Sequence, residues 1–345
     1  MFSNEIGKKV TTMDKRYANY MILDTETCTL PFINEWNLSS EQKKRVAIAK
    51  PLVYDIGWTV ANRTQGIVWK RNYLVAETFC VPSVFNTAYY AEKRPIYLEM
   101  LAKGEIEVKT WNEIVAILEA DLENCKYICA FNAMFDFKKA IVFTEKYISE
   151  LYSPSYHVWE AVQRESCKRI ATTKAKNNSD PDFDKDNFLL RGKKYPMLDI
   201  WGIACTYLLN NEKYKCYCLE NSKVSNTGIY FSTNAEHTMQ FLSEQFDFIE
   251  DHTALSDAEI ETEILFAALR RGKIIQGIEY FPFKMLGETI DFIIKSRKST
   301  REMAENVLAQ IERYMDGIDT ESGYGKQVIN KKCRLEIYVS EHWDE

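Results

Sequence analysis

The chain has 345 residues, of which 46% are apolar and 27% charged, and its formal net charge is −6. This composition supplies a large core and fits one large domain, or one domain with an appendage. It excludes a uniformly polybasic nucleic-acid binder but leaves room for a local basic groove. Candidate pieces of such a groove are Lys43-Lys44-Arg45, Lys168-Arg169 with Lys174 and Lys176, Arg191 to Lys194, and Lys295 to Arg301; each is equally a solvated face. The N-terminal stretch "MFSNEIGKKVTTMDKR" has no apolar centre for a signal peptide, and no run has the length of a membrane span. The nine cysteines are scattered, and neither Cys125/Cys129 nor Cys216/Cys218 makes a convincing half of a zinc site. Free thiols in a soluble, cytoplasmic protein with no membrane association are expected.

In chain order, "YMILDTETC" (Tyr20 to Cys28) opens with an apolar run that reads as a buried strand. "PLVYDIGWTV" (Pro51 to Val60) and "GIVWKRNYLV" (Gly66 to Val75) read as strands two and three, joined as a hairpin by the turn residues of "NRTQG". Trp111, Ile114, Val115, Leu118 and Leu122 recur at helical spacing. "KYICAF" then reads as a buried strand, followed by a helix over "AMFDFKKAIVFTEKYI". "TTKAKNNSDPDFDKD" (Thr172 to Asp186) is polar, without periodicity, and reads as a mobile loop. "PMLDIWGIACTYLL" suggests an extended piece entering a helix. In "TALSDAEIETEILFAALRRG", Ala258, Leu265, Ala268 and Leu269 form one stripe of a helix that Gly272 stops. The tail has a helix over Thr300 to Met315, then a Gly-rich turn and a short apolar end. Three strands followed by helix, strand and helices predict an α/β fold with a mixed sheet flanked by helices.

The chemistry lies where apolar elements end. Asp24 and Glu26 leave strand one two residues apart, so they point the same way. Two adjacent carboxylates repel, and desolvating them is unfavourable without a compensating charge. Asp136 begins a helix after an apolar strand, and Asp257 begins another, with His252 on the segment leading in. Each also has a plain structural reading: a surface Asp-x-Glu, first-turn acids favoured by the helix dipole, and a surface histidine. Taken together, the oxygen ligands of Asp24, Glu26, Asp136 and Asp257 suit two Mg2+ or Mn2+ ions. Such a pair, about 3.5–4 Å apart, would clamp the attacking and leaving oxygens of a phosphodiester. A neutral His252 could take the proton of the attacking water.

These segments resemble the motifs of the DEDDh 3′–5′ exonuclease superfamily, which includes the proofreading subunit of bacterial DNA polymerase III and ribonuclease T. "ILDTETCTL" is similar to the first motif, "AFNAMFDF" to the second and "HTALSDAEIETEIL" to the third; "YDIGWTV" and "MLDIWGIA" resemble further family elements. The resemblance runs from about Tyr20 to Arg271. It implies a ribonuclease-H-like fold that removes nucleoside monophosphates from a 3′ end. Carried over, Asp24, Glu26, Asp136 and Asp257 hold the two metals, and His252 is the general base. The backbone around Thr25 and Thr27 faces the terminal nucleotide, and Asn132 and Phe135 shape its pocket, though both are as readily structural.

The implied organisation is an N-terminal segment over 1–18, an exonuclease domain over 19–283 with an insertion at about 152–194, and a C-terminal extension over 284–345. The chain departs from the family where Cys28-Thr29 replaces a common Thr-Gly, where Phe131 replaces a common His, and in a longer Thr29 to Lys50 segment. The expected partner is a nucleic acid with a free 3′ end, entering as a frayed single strand, with a DNA polymerase as a possible protein partner. No residue reports on a 2′-hydroxyl, so DNA and RNA stay open. The alternative is a non-catalytic module that uses the same scaffold to hold nucleic acid or a polymerase.

Overall fold

Met21, Ile22 and Leu23 are wholly buried and form the middle of β1 (Tyr20–Cys28). The computed structural model describes residues 18–173, 186–270, 287–317 and 319–343. Around β1 the described residues build a seven-stranded mixed sheet in the order β4-β3-β2-β1-β5-β7-β6. Its other strands are β2 (Leu52–Asn62), β3 (Gly66–Val75), β4 (Glu107–Lys109), β5 (Tyr127–Ala130), β6 (Asn187–Leu190) and β7 (Lys193–Asp199). β1 to β3 run antiparallel, with β2 and β3 joined by the hairpin that "NRTQG" predicts, whereas β5 joins β1 in parallel. The expectation of an α/β fold with a mixed, helix-flanked sheet holds.

All eleven residues of β2 are buried, as a central strand covered on both faces requires. Its alternation assigns a helix to each face. Trp58 points one way, and its indole N–H donates to Asp121 Oδ2 at 3.0 Å in the helix Trp111–Leu122. Gly57 and Thr59 point the other way, toward the helix Ala254–Arg270. Thr59 Oγ1 lies 2.6 Å from Thr262 Oγ1 there. At Gly57 the packing leaves no room for a side chain: a Cβ would lie 2.3 Å from the backbone nitrogen of Leu255. Glycine is therefore what lets this helix start directly against the sheet.

Elements differ from the sequence reading in three places. Thr29 to Lys50 holds a 3-10 turn (Pro31–Glu35) and a helix (Ser40–Ala49) that begins with a reciprocal capping box between Ser39 and Gln42. The helical run after β5 is not uniform: Ala133–Phe135 passes into a π-helical turn over Asp136–Ala140 before Ile141–Leu151 continues as α-helix. The tail ends not in a short apolar piece but in a 21-residue helix, Gly323–Trp343, which buries Val328, Leu335 and Val339 at helical spacing. The predicted mobile loop starts where the helix Tyr156–Thr172 ends, and its residues 174–185 lie outside the described residues, as does Gly272.

The chain forms two compact units. One runs to Leu198 and resumes over Asp251–Thr262; it carries the sheet and every candidate site residue. The other takes Asp199–Glu250 and the chain from Glu263 onward. It is helical, and its core includes Tyr214 packed edge-on against Phe241 at 4.9 Å and Phe231 against Phe292 at 5.7 Å. Its helices Arg301–Met315 and Gly323–Trp343 pack on each other. All nine cysteines are free. Among the described residues, no helix is long and apolar enough to cross a membrane.

Candidate functional site

Asp24 and Glu26 occupy the last turns of the β1 ladder, opposite Gly57 and Asp55 of β2. A register irregularity follows between Glu26 and Thr27, after which β1 stays paired with β2 through Cys28. Asp136 is buried at the start of the π-helical turn and accepts a hydrogen bond of 2.6 Å from Thr25 Oγ1. A π turn shifts the helical phase by one residue and is often found at functional positions. Asn132 precedes this run in the left-handed region, at φ 71° and ψ 52°, a conformation that asparagine tolerates better than most residues. His252 also has a left-handed backbone, at φ 50°, just ahead of the helix Ala254–Arg270. Its Nδ1 lies 3.9 Å from Asp257 Oδ2. Ligand atoms of Glu26, His252 and Asp257 all fall within 4.8 Å of one another.

The electrostatics tie Asp24 to the same cluster. Burial pushes its carboxyl well above the usual range, and the charges of Glu261, Asp136, Asp257 and Glu26 push it further. Glu26 is likewise raised well above the usual range, by burial and then by Asp257 and Asp55, with Lys93 pulling it down and Asp136 adding to the rise. All four carboxylates anticipated from the sequence therefore share one field. Mutual repulsion and desolvation make such a group unfavourable unless protons or cations compensate. Its donors are carboxylate oxygens with one imidazole, a set that fits Mg2+ or Mn2+. Asp24, Glu26, Asp136 and Asp257 are the residues that could hold such ions.

Two further acids, Glu261 and Asp55, belong to the cluster beyond those expected from the sequence. Glu261 is buried, and its Oε2 accepts the Phe131 backbone N–H at 3.1 Å. It lies four residues after Asp257 and so on the same face of the helix; the "DAEIE" spacing was the available signal. Asp55 is fully buried, and its Oδ2 accepts both the Tyr97 hydroxyl at 2.9 Å and the Ala254 backbone N–H at 3.0 Å. A carboxylate there satisfies one of the orphan donors of the helix and complements its dipole. Burial pushes Asp55 up to about 7, although both hydrogen bonds pull the other way. Nothing in the local sequence reveals this pairing, because its partners come from residues 97 and 254.

A cleft of about 700 Å³ is lined not by the acids themselves but by the chain neighbours of two of them, Thr27 after Glu26 and Phe135 before Asp136. Lys43, Lys44, Asn86 and Tyr89 line it too. That volume suits a nucleotide-sized ligand. Thr25, by contrast, is buried with its hydroxyl committed to Asp136. Several other basic residues pair with acids: Arg191 with Glu145 at 3.3 Å, Lys298 with Glu212 at 2.5 Å, and Arg301 with Glu305 at 2.7 Å. Lys44 is exposed at the cleft, and Lys43 reaches Asn34 at 3.5 Å.

No family model matches the chain, and no match was found among curated proteins, so the site is read from its own residues.

Proposed function

We propose that the protein is a metal-dependent 3′–5′ exonuclease of the DEDDh type on a ribonuclease-H-like sheet. One observation carries the reading. Four carboxylates from three separated stretches, Asp24, Glu26, Asp136 and Asp257, share one desolvated cluster, with His252 Nδ1 3.9 Å from Asp257. The antiparallel β1–β3 arrangement with β5 added in parallel supports the sheet assignment. Two divalent cations, when bound, would neutralise the acids and stabilise charge on the phosphodiester oxygens.

The protein's own groups do the rest. The cleft admits a single-stranded 3′ end, with Phe135 and Tyr89 offering ring faces to bases and Lys43 and Lys44 offering charge to phosphates. Thr27 borders the same cleft at the end of β1. His252 takes a proton from water as the water oxygen attacks the terminal phosphorus. The bond from phosphorus to the O3′ of the preceding nucleotide breaks and that oxygen takes up a proton from solvent water, giving a nucleoside 5′-monophosphate and a new 3′-hydroxyl.

The test uses 5′-end-labelled DNA and RNA strands, single and double, with Mg2+ or Mn2+. Stepwise shortening from the 3′ end is expected, abolished by EDTA and by Asp24→Ala. Robust shortening by Asp24→Ala protein, or strand binding with no turnover in Mn2+, would sink the reading; the latter outcome would favour a binding module.

A further inference from the structure

His252 needs outside help to serve as a base. It sits on a non-helical segment in a left-handed backbone conformation, with its side chain 32% exposed. A ring on such a segment can rotate about two side-chain torsions, whereas proton transfer requires one nitrogen held within hydrogen-bond reach of the water. The structure supplies the restraint from a distant part of the chain. The Tyr90 ring stacks face to face on the His252 ring, with centroids 4.7 Å apart and planes 13° apart. Lys93 fastens the two segments together: its Nζ lies 4.4 Å over the Tyr90 ring and donates a hydrogen bond to the backbone carbonyl of Asp251, the neighbour of His252.

We propose that Tyr90 is a positioning residue that holds the His252 imidazole in its working orientation, an inference that rests on the exonuclease reading. Stacking engages the face of the imidazole and leaves both nitrogens at its edge. Nδ1 lies 3.9 Å from Asp257 Oδ2, so the held ring keeps its edge toward the carboxylate cluster. Tyr89 extends the arrangement: it lines the cleft and meets Tyr90 edge-on at 4.8 Å. Rings therefore run from the cleft to the base, and a nucleotide stacked on Tyr89 would steady the ring beneath which His252 lies. The proposal assigns the role to the ring face and not to the hydroxyl, so phenylalanine should serve equally well.

The experiment compares wild type with Tyr90→Phe and Tyr90→Leu, the second keeping apolar bulk without a ring. Ring-current shifts are read by NMR on histidine-labelled protein. The chain has four histidines; His252→Gln assigns the signal, and His342, stacked on Tyr338 at 4.1 Å, is an internal reference. Wild type and Tyr90→Phe should show upfield-shifted His252 ring protons, and Tyr90→Leu should lose the shift while His342 is unchanged. From the strength of an aromatic pair, kcat should fall about tenfold in Tyr90→Leu, with KM within about twofold and Tyr90→Phe near wild type. Unshifted His252 protons in wild type, wild-type kcat in Tyr90→Leu, or an equal loss in Tyr90→Phe would each overturn the proposal. A wild-type protein that shortens no 3′ end removes the exonuclease reading and the catalytic purpose of the stack, whereas the NMR comparison judges the stack by itself.

Discussion

Replacing Gly57 by alanine should disable the site without touching any candidate ligand. The new Cβ would lie 2.3 Å from the Leu255 nitrogen, 2.4 Å from its Cα and 2.6 Å from the Ala254 carbonyl carbon. These are backbone atoms, so no side chain can swing aside. Restoring a normal separation of about 3.5 Å requires the helix start and the strand to part by about 1 Å. Gly57 stands opposite Asp24 in the sheet, and Asp257 follows Leu255 by two residues, so the movement widens the gap between Asp257 and the acids of β1. Overpacking of this kind costs about 1–3 kcal/mol. At roughly 2–4 °C per kcal/mol for a domain of about 200 residues, the melting temperature should fall by about 2–12 °C. Displacement of a catalytic group by about 1 Å can reduce turnover about a hundredfold. The assay pairs thermal melts with and without Mn2+ against exonuclease rates, with circular dichroism to show that the fold persists. A Gly57→Ala protein with wild-type melting, wild-type Mn2+ response and wild-type rate would refute this account of how the helix is seated.

Two further outcomes follow from the charge cluster. Asp24→Asn removes one desolvated charge from a repelling group, so the metal-free protein at pH 8 should melt higher than wild type by about 2–4 °C per kcal/mol relieved, while losing the stabilisation that Mn2+ gives. For wild type that gain would be about 2.7 kcal/mol at a hundredfold excess over Kd. A lower metal-free melting temperature together with an intact Mn2+ response would contradict the assignment of Asp24. Asp55 is raised from 3.8 to about 7. The native state therefore binds more protons than the unfolded chain between those values, and metal-free stability should decline as pH rises through that window, by up to about 1.4 kcal/mol per pH unit. Asp55→Asn keeps an oxygen that can accept from Tyr97 and Ala254. It should flatten the decline measured by urea unfolding between pH 4 and 8, leaving the share owed to Asp24 and Glu26; parallel curves for the two proteins would count against the inference.

The sequence alone determined what local chemistry dictates. Apolar runs bounded by turn residues gave β1 to β3 and the hairpin, and helical spacing marked Trp111–Leu122 and most of Ala254–Arg270, because side-chain periodicity follows backbone geometry directly. Asp24 and Glu26 were legible as candidates because they close an apolar strand, Asp136 because it opens a helix after one, and Asp257 because it opens a helix with a clear apolar stripe. The capping box at Ser39 and Gln42 was also present in the sequence, but the weakly apolar helix behind it gave little periodic signal. Only the tertiary structure decided which distant groups meet. Glu261 reaches the backbone of Phe131, Asp55 holds the start of a helix 199 residues later, and Tyr90 covers the ring of His252. Such contacts depend on how strands and helices are seated against one another, and residues that are remote along a chain leave no spacing from which their meeting could be read.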